Sequence, residues 1–223
     1  MLQEHALVDD DADPEAAALL GLLTPIVKTW PSEYGLAAND IAIQIHGGYG
    51  YTRDFDVEQL WRDNRLNPIH EGTTGIQAMD LLGRKILRDG TALPVLGRAM
   101  ERTMEAARAR EELSDHAAAL SVVWSLIGTA IDRLRSADGA EAFDNATPFL
   151  WAFGHVVVAW LWLDQADAAL RLDVVSTEGA GFVAGKVRTC RFFFEAELPK
   201  VEPLLRLVAP CTDVTAGTPS EIF

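Results

Sequence analysis

The chain has 223 residues, 19 Lys+Arg against 33 Asp+Glu, and a formal net charge of −14. With 49% hydrophobic and 23% charged residues, its composition excludes wholesale disorder and collagen-like repeats. The acidic balance argues against nucleic acid as a main partner and against docking on anionic membrane surfaces, because both need clustered Lys and Arg. Two cysteines, Cys190 and Cys211, are too few for a disulfide framework and fit a reducing, cytoplasmic setting. The first twenty residues lack the basic start and apolar run of a signal peptide. Residues 149–163 form the most apolar stretch. It is shorter than the roughly 20 residues a membrane span needs, so a buried core helix is expected and no span.

In chain order, the pattern is helix after helix. Asp13-Pro14 before an Ala run is a helix start, with a capping carboxylate followed by Pro at the first helical position. Apolar residues at helical spacing carry that helix to about residue 29. Pro31 and Ser32 then break it, and Ser32-Glu33 opens a second helix that stops at Gly47-Gly48. A loop follows. Residues 57–67 read as a short helix with Val57, Leu60, Trp61 and Leu66 on one side, ended by Pro68. Residues 70–74 form a second loop. It feeds a helix over 75–87 with Ile76, Met79, Leu82 and Ile86 inward. After Gly90, residues 93–113, 117–134, 148–172 and 179–208 read as four longer helices of a bundle. Residues 136–147 and 173–178 are connectors. The last fifteen residues hold two Pro and no periodicity, which predicts a loose tail. The expected organisation is a motif-bearing helical part over 1–90, a helical bundle over 91–208 and a tail over 209–223, all-α throughout.

Three features bear on chemistry. Adjacent glycines in Gln44–Tyr51 (QIHGGYGY) could let the backbone approach a ligand. The pattern alone favours a helix C-terminus closed by glycine. Glu71 lies in a loop before a helix, between His70 and Gly72. There it is either a base that apolar surroundings would tune or a capping acid. His70 reads as an ordinary hydrogen-bonded loop residue. Residues 84–110 hold seven Arg and Lys against Asp89, Glu101 and Glu105. This strip is an anion site or, as the pattern favours, a solvated face paired with acids elsewhere. The histidines do not pair at metal-ligand spacing, so no metal is expected.

Taken together these segments are more specific. Gln44–Tyr51, then Val57–Asp63 (VEQLWRD), then His70–Lys85 (HEGTTGIQAMDLLGRK) closely resemble the C-terminal domain of acyl-CoA dehydrogenases. The run Gly185–Val201 is similar to the last long helix of an extra C-terminal helical domain. That domain belongs to a large-subunit branch, which includes broad-chain fatty acyl-CoA and methylmercaptopropionyl-CoA dehydrogenases. The implied fold is the helical bundle of the family's C-terminal domain followed by a second α-helical bundle.

The resemblance implies oxidation of an acyl-CoA thioester to the trans-2-enoyl-CoA. Glu71 would remove the α-proton, and a hydride would pass to FAD. It assigns Gln44, Gly47, Gly48, Thr73 and Gln77 to the cofactor, the first three reaching the FAD of a neighbouring subunit. It implies a homo-oligomer, dimer or larger, and an electron-transfer flavoprotein or similar acceptor. Two positions depart from the family: His70 stands where tyrosine is usual, and Gly75 where glutamine is often found. The family's N-terminal helical and middle β-domains have no counterpart here, so the isolated chain is expected to be inactive. The competing readings are a non-catalytic helical assembly module and a coenzyme A binding module built on the basic strip.

Overall fold

The computed structural model describes residues 13–70, 72–137, 139–172, 177–208, 210 and 221. The expected tail over 209–223 therefore falls almost wholly outside the described residues, as do residues 1–12. Among the described residues there is no strand, and the fold is all-α.

Helix α1 runs unbroken over Pro14–His46. Asp13 caps it by accepting the Glu15 N–H, and Pro14 takes the first turn as the sequence predicts. The predicted break at Pro31 is absent: both Pro25 and Pro31 lie inside the helix. A proline in a helix leaves backbone carbonyls short of a donor. Those are the carbonyls of Gly21 and Val27, four residues before each proline, while nearby hydroxyls add bonds to other carbonyls of the same stretch. Thr29 donates to the Pro25 carbonyl at 2.7 Å, and Ser32 to the Lys28 and Thr29 carbonyls at 3.0 and 2.8 Å. The first half of α1 is core, with Leu19, Leu22, Leu23 and Ile26 buried. Beyond Ser32 none of its residues is buried.

A 3-10 turn over Gly47–Tyr51 leads to α2, Val57–Arg65. Its expected apolar face is not buried, and Leu60 and Leu66 are exposed. Side-chain amides attach α2 to α1 instead. Asn64 donates to Asn39 at 2.8 Å, and its amide sits 2.9 Å from where a Cβ on Gly35 would be.

Helix α3 starts at Thr74–Met79 and continues as a π-helix over Asp80–Asp89. Ile76 and Met79, expected inward, are exposed, while Ala78, Leu81, Leu82 and Ile86 are buried. Ile76 and Met79 belong to the α-helical start, and residues 78, 82 and 86, spaced by four, share the inner side. Gly90 (φ +67°) closes this helix in the left-handed conformation.

Helix α4 is Ala92–Arg108, α5 Ser114–Ser136, α6 Gly139–Asp144 and α7 Ala146–Leu170. The short α6 falls where only a connector was expected. Helix α8, Thr177–Phe192, passes through a π turn (Phe193–Glu197) and a 3-10 turn (Leu198–Lys200) into α9, Val201–Val208.

Helix α7 is the centre of the molecule, and α1, α3, α4, α5, α8 and α9 all pack on it. Phe149, Phe153, Val156 and Leu163 are wholly buried. Helices α5 and α7 are long and apolar enough to cross a membrane by length and composition. In this fold the apolar length of α7 is used as core. One hydrophobic cluster runs from Leu19 to Val208 and takes residues from both sides of residue 90.

Candidate active site

The site is built at the head of α3. After α2 the chain turns tightly: the Asn67 N–H bonds the Asn64 carbonyl at 3.0 Å, and the His70 N–H bonds the Leu66 carbonyl at 3.1 Å. Glu71, the candidate base, lies outside the described residues. Its neighbours are described. Gly72 has φ +93°, and a Cβ there would come 2.4 Å from Gln77 Nε2. Only glycine accepts both that dihedral and that approach. Thr73 precedes the first turn of α3 in extended conformation, is exposed, and makes no side-chain cap. Thr74 donates its hydroxyl to Glu33 Oε1 on α1 at 2.5 Å.

These elements enclose a cleft of about 300 Å³, lined by Val27, Lys28, Pro31 and Ser32 of α1, Asn64 and Asn67, and His70 and Gly72. Gln77, expected at the cofactor, is only 8% exposed, with its amide beneath Gly72.

The glycine loop lies elsewhere. Gly47 (φ +60°) closes α1, its N–H bonded to the Gln44 carbonyl, so the pattern-based reading of a glycine-ended helix holds geometrically. Gln44, Gly47 and Gly48 are exposed, and a Cβ on either glycine would meet nothing within 4 Å. The close approach is at Gly50, where a Cβ would meet the Ile43 carbonyl at 2.6 Å. Phe55 contacts the rings of His46 and Tyr49, with centroids 5.4 and 6.0 Å away. Eleven helical residues separate Glu33 from Gln44, or roughly 16 Å at 1.5 Å per residue. The structure thus brings Thr73 and Gln77 together at the loop after His70. It keeps Gln44, Gly47 and Gly48 at the far end of α1.

Glu33 also reaches a second cleft, of about 520 Å³, shared with Tyr34, Trp151, His155, Lys200 and Leu204. His155 is 1% exposed. Its Nδ1 is 2.9 Å from the Trp151 carbonyl, which can only accept, so Nδ1 carries the proton. Nε2 then accepts the Tyr34 hydroxyl at 2.8 Å. Burial lowers the His155 pKa. Burial, followed by the charge of Glu197, raises that of Tyr34 to about 12. Neither Glu33 nor His155 stood out in the sequence, because their partners are 41 and 121 residues away.

The basic strip is largely neutralised. Arg98 pairs with Glu15 at 2.5 Å, Arg108 with Glu101 at 2.7 Å, Arg110 with Asp167 at 2.6 Å, and Arg84 with Asp80. This is the paired face that the pattern favoured.

Residues 2–87 match the family described as acyl-CoA dehydrogenase, C-terminal domain. Residues 96–218 match the one described as acetyl-CoA dehydrogenase C-terminal like. Among curated proteins, the chain is 34% identical over 208 residues to 3-methylmercaptopropionyl-CoA dehydrogenase of Ruegeria pomeroyi, covering 88% of this chain and 34% of that protein. It is 34% identical over 190 residues to the broad-specificity linear acyl-CoA dehydrogenase FadE5 of Mycobacterium tuberculosis, covering 80% and 31%. It therefore spans about a third of the length of these curated relatives. The crystal structure of Caenorhabditis elegans ACDH-11 in complex with C11-CoA shares the fold. Its TM-score is 0.59 at 18% identity, over 93% of this chain and 35% of that one. With an all-α fold, a motif string from Gln44 to Lys85 and two family matches covering both halves, this chain belongs to the acyl-CoA dehydrogenase family, as its C-terminal portion.

Proposed function

We propose that this chain is the base-carrying C-terminal part of an FAD-dependent enzyme that oxidises an acyl-CoA thioester to the trans-2-enoyl-CoA. The supporting observation is the loop at the head of α3. A glycine with φ +93° and a threonine tied to α1 follow position 71 in the chain, and its neighbours His70 and Gly72 line a cleft. In this reading Glu71 removes the α-proton of the thioester. That proton is weakly acidic, so the base must be desolvated and accurately placed. The Glu71 backbone N–H would hydrogen-bond the thioester carbonyl and stabilise its enolate-like charge.

The exposed residues fit a flavin. Gly47 and Gly48 offer bare backbone in open space, and Gln44 and Thr73 are exposed. Bound FAD supplies the hydride acceptor. The roughly 16 Å along α1 between the two groups suits contacts to two different flavins, one of them in a neighbouring subunit. Gln77 supports Gly72 from beneath. The active unit is then a homo-oligomer in the cytoplasm that passes electrons to an electron-transfer flavoprotein or similar acceptor. The isolated chain is inactive.

In the complete polypeptide, Glu71→Gln is expected to lower acyl-CoA oxidation by about 10²–10⁴-fold, the range for loss of a general base. Undiminished turnover would remove the assignment.

A further inference from the structure

We propose that Glu33 is a positioning residue for the base loop, holding the start of α3 through Thr74. The proposal rests on the reading of Glu71 as the base.

Four observations meet at this contact. The Thr74 hydroxyl donates to Glu33 Oε1 at 2.5 Å across 41 residues, in a partly buried place. Thr73, the residue that would normally cap the helix, makes no side-chain cap, so the first turn of α3 has its own backbone bond from the Gln77 N–H to the Thr73 carbonyl at 3.0 Å but no capping side chain. Gly72 lies close against the Gln77 amide, and Thr74, two residues further on, is tied to α1. The other side of the anchor is stiff: Ser32, beside Glu33, bonds two carbonyls of its own helix, and Thr29 bonds a third. Glu33 thus transmits the position of the buried half of α1 to the start of α3, three residues after position 71. A shift of about 1 Å in a reacting group costs about 10²-fold in rate. The contact therefore acts on turnover more than on substrate affinity.

The chemistry distinguishes geometry from charge. Glutamine at position 33 keeps a carbonyl acceptor for the Thr74 hydroxyl, whereas alanine does not. Serine at position 74 keeps the donor, and valine removes it at nearly constant shape.

The test has two arms. In the complete polypeptide, Glu33→Ala and Thr74→Val should each lower kcat by about 10–100-fold, with KM moving less than about threefold. Glu33→Gln and Thr74→Ser should stay within about threefold of the parent. The double variant Glu33→Ala/Thr74→Val should be no worse than the poorer single one, since both remove the same bond. In this chain, hydrogen exchange of the 72–78 amides should accelerate in Thr74→Val and not in Thr74→Ser, with α7 unchanged. Thr74→Val carries the test if Glu33→Ala does not fold. Unchanged exchange, or faster exchange with parental kcat, overturns the positioning role. Failure of the base reading is visible separately, as full activity in Glu71→Gln.

Discussion

A side chain at Gly72 meets two obstacles. The φ of +93° there disfavours any Cβ, and that Cβ would overlap the Gln77 amide. Gly72→Ala is expected to cost at least about 1–2 kcal/mol from the dihedral alone, read as a lowered midpoint in urea unfolding. Titration is expected to expose the second cleft. Burial lowers the folded pKa of His155, and likewise that of His116, below the usual 6.5. The unfolded state therefore binds more protons in this window. The stabilisation is complete above pH 6.5 and is lost as the pH falls through the folded values. At the other end, Tyr34 and Cys190 are both raised to about 12, so their contribution is lost as the pH rises from their usual values of 10.0 and 9.0 toward 12. Unfolding free energy measured against pH should show a plateau between these limits. A His155→Gln variant should flatten the acidic limb, and an unchanged limb would exclude His155 as its source.

Elements in this molecule are shaped by what they pass close to. Helix α7 approaches α1 at Gly154, where a Cβ would sit 2.9 Å from Trp30 Cδ1. Gly154→Leu should overpack this crossing and cost about 1–3 kcal/mol, visible as a lower thermal midpoint. Helix α3 passes the Phe143 ring of α6 at Gly83, 2.6 Å from a would-be Cβ. Helix α1 shows how a helix-breaking signal is overridden. Pro25 and Pro31 each remove one backbone bond, but burial of Leu22, Leu23 and Ile26 holds the helix through both. The turn after α4 is tied to α7 by a buried carboxylate. Asp167 is 2% exposed and accepts from Arg110 at 2.6 Å and also from Arg171. Desolvation pushes its pKa up, but the two arginine hydrogen bonds outweigh that and hold it below the usual value.

At the scale of the whole molecule, one core runs through all the long helices, and one region stands clear of it. The second half of α1, the glycine loop and α2 expose Ile41, Ile45, Tyr51 and Leu60, with Ile45 at 78% and Tyr51 at 87%. Exposed apolar side chains grouped on neighbouring elements are the kind of surface an association face presents. It is also where the motif string assigns contacts to a neighbouring subunit's cofactor. Light scattering of this chain is expected to report a dimer or larger species, and Ile45→Glu with Leu60→Glu should shift it toward monomer. A parent that is already monomeric would contradict this.

Local pattern alone determined much about this chain. Apolar residues three and four apart made it all-α, Asp13-Pro14 began the first helix, Gly47 ended it and Gly90 ended α3, and the order of motifs from Gln44 to Lys85 marked the family. Those signals act within a few residues, so they survive in one dimension. Tertiary structure decided the rest. The inner face of α3 depends on which side meets the core, where Ala78, Leu82 and Ile86 are buried, and the continuity of α1 depends on burial that outweighs two prolines. The acids that neutralise Arg98 and Arg110 lie 83 and 57 residues away. The tie from Glu33 to Thr74 spans 41 residues and leaves no periodic trace. Contacts between distant residues are set by how helices stack around α7, and only the folded chain brings them within hydrogen-bond reach.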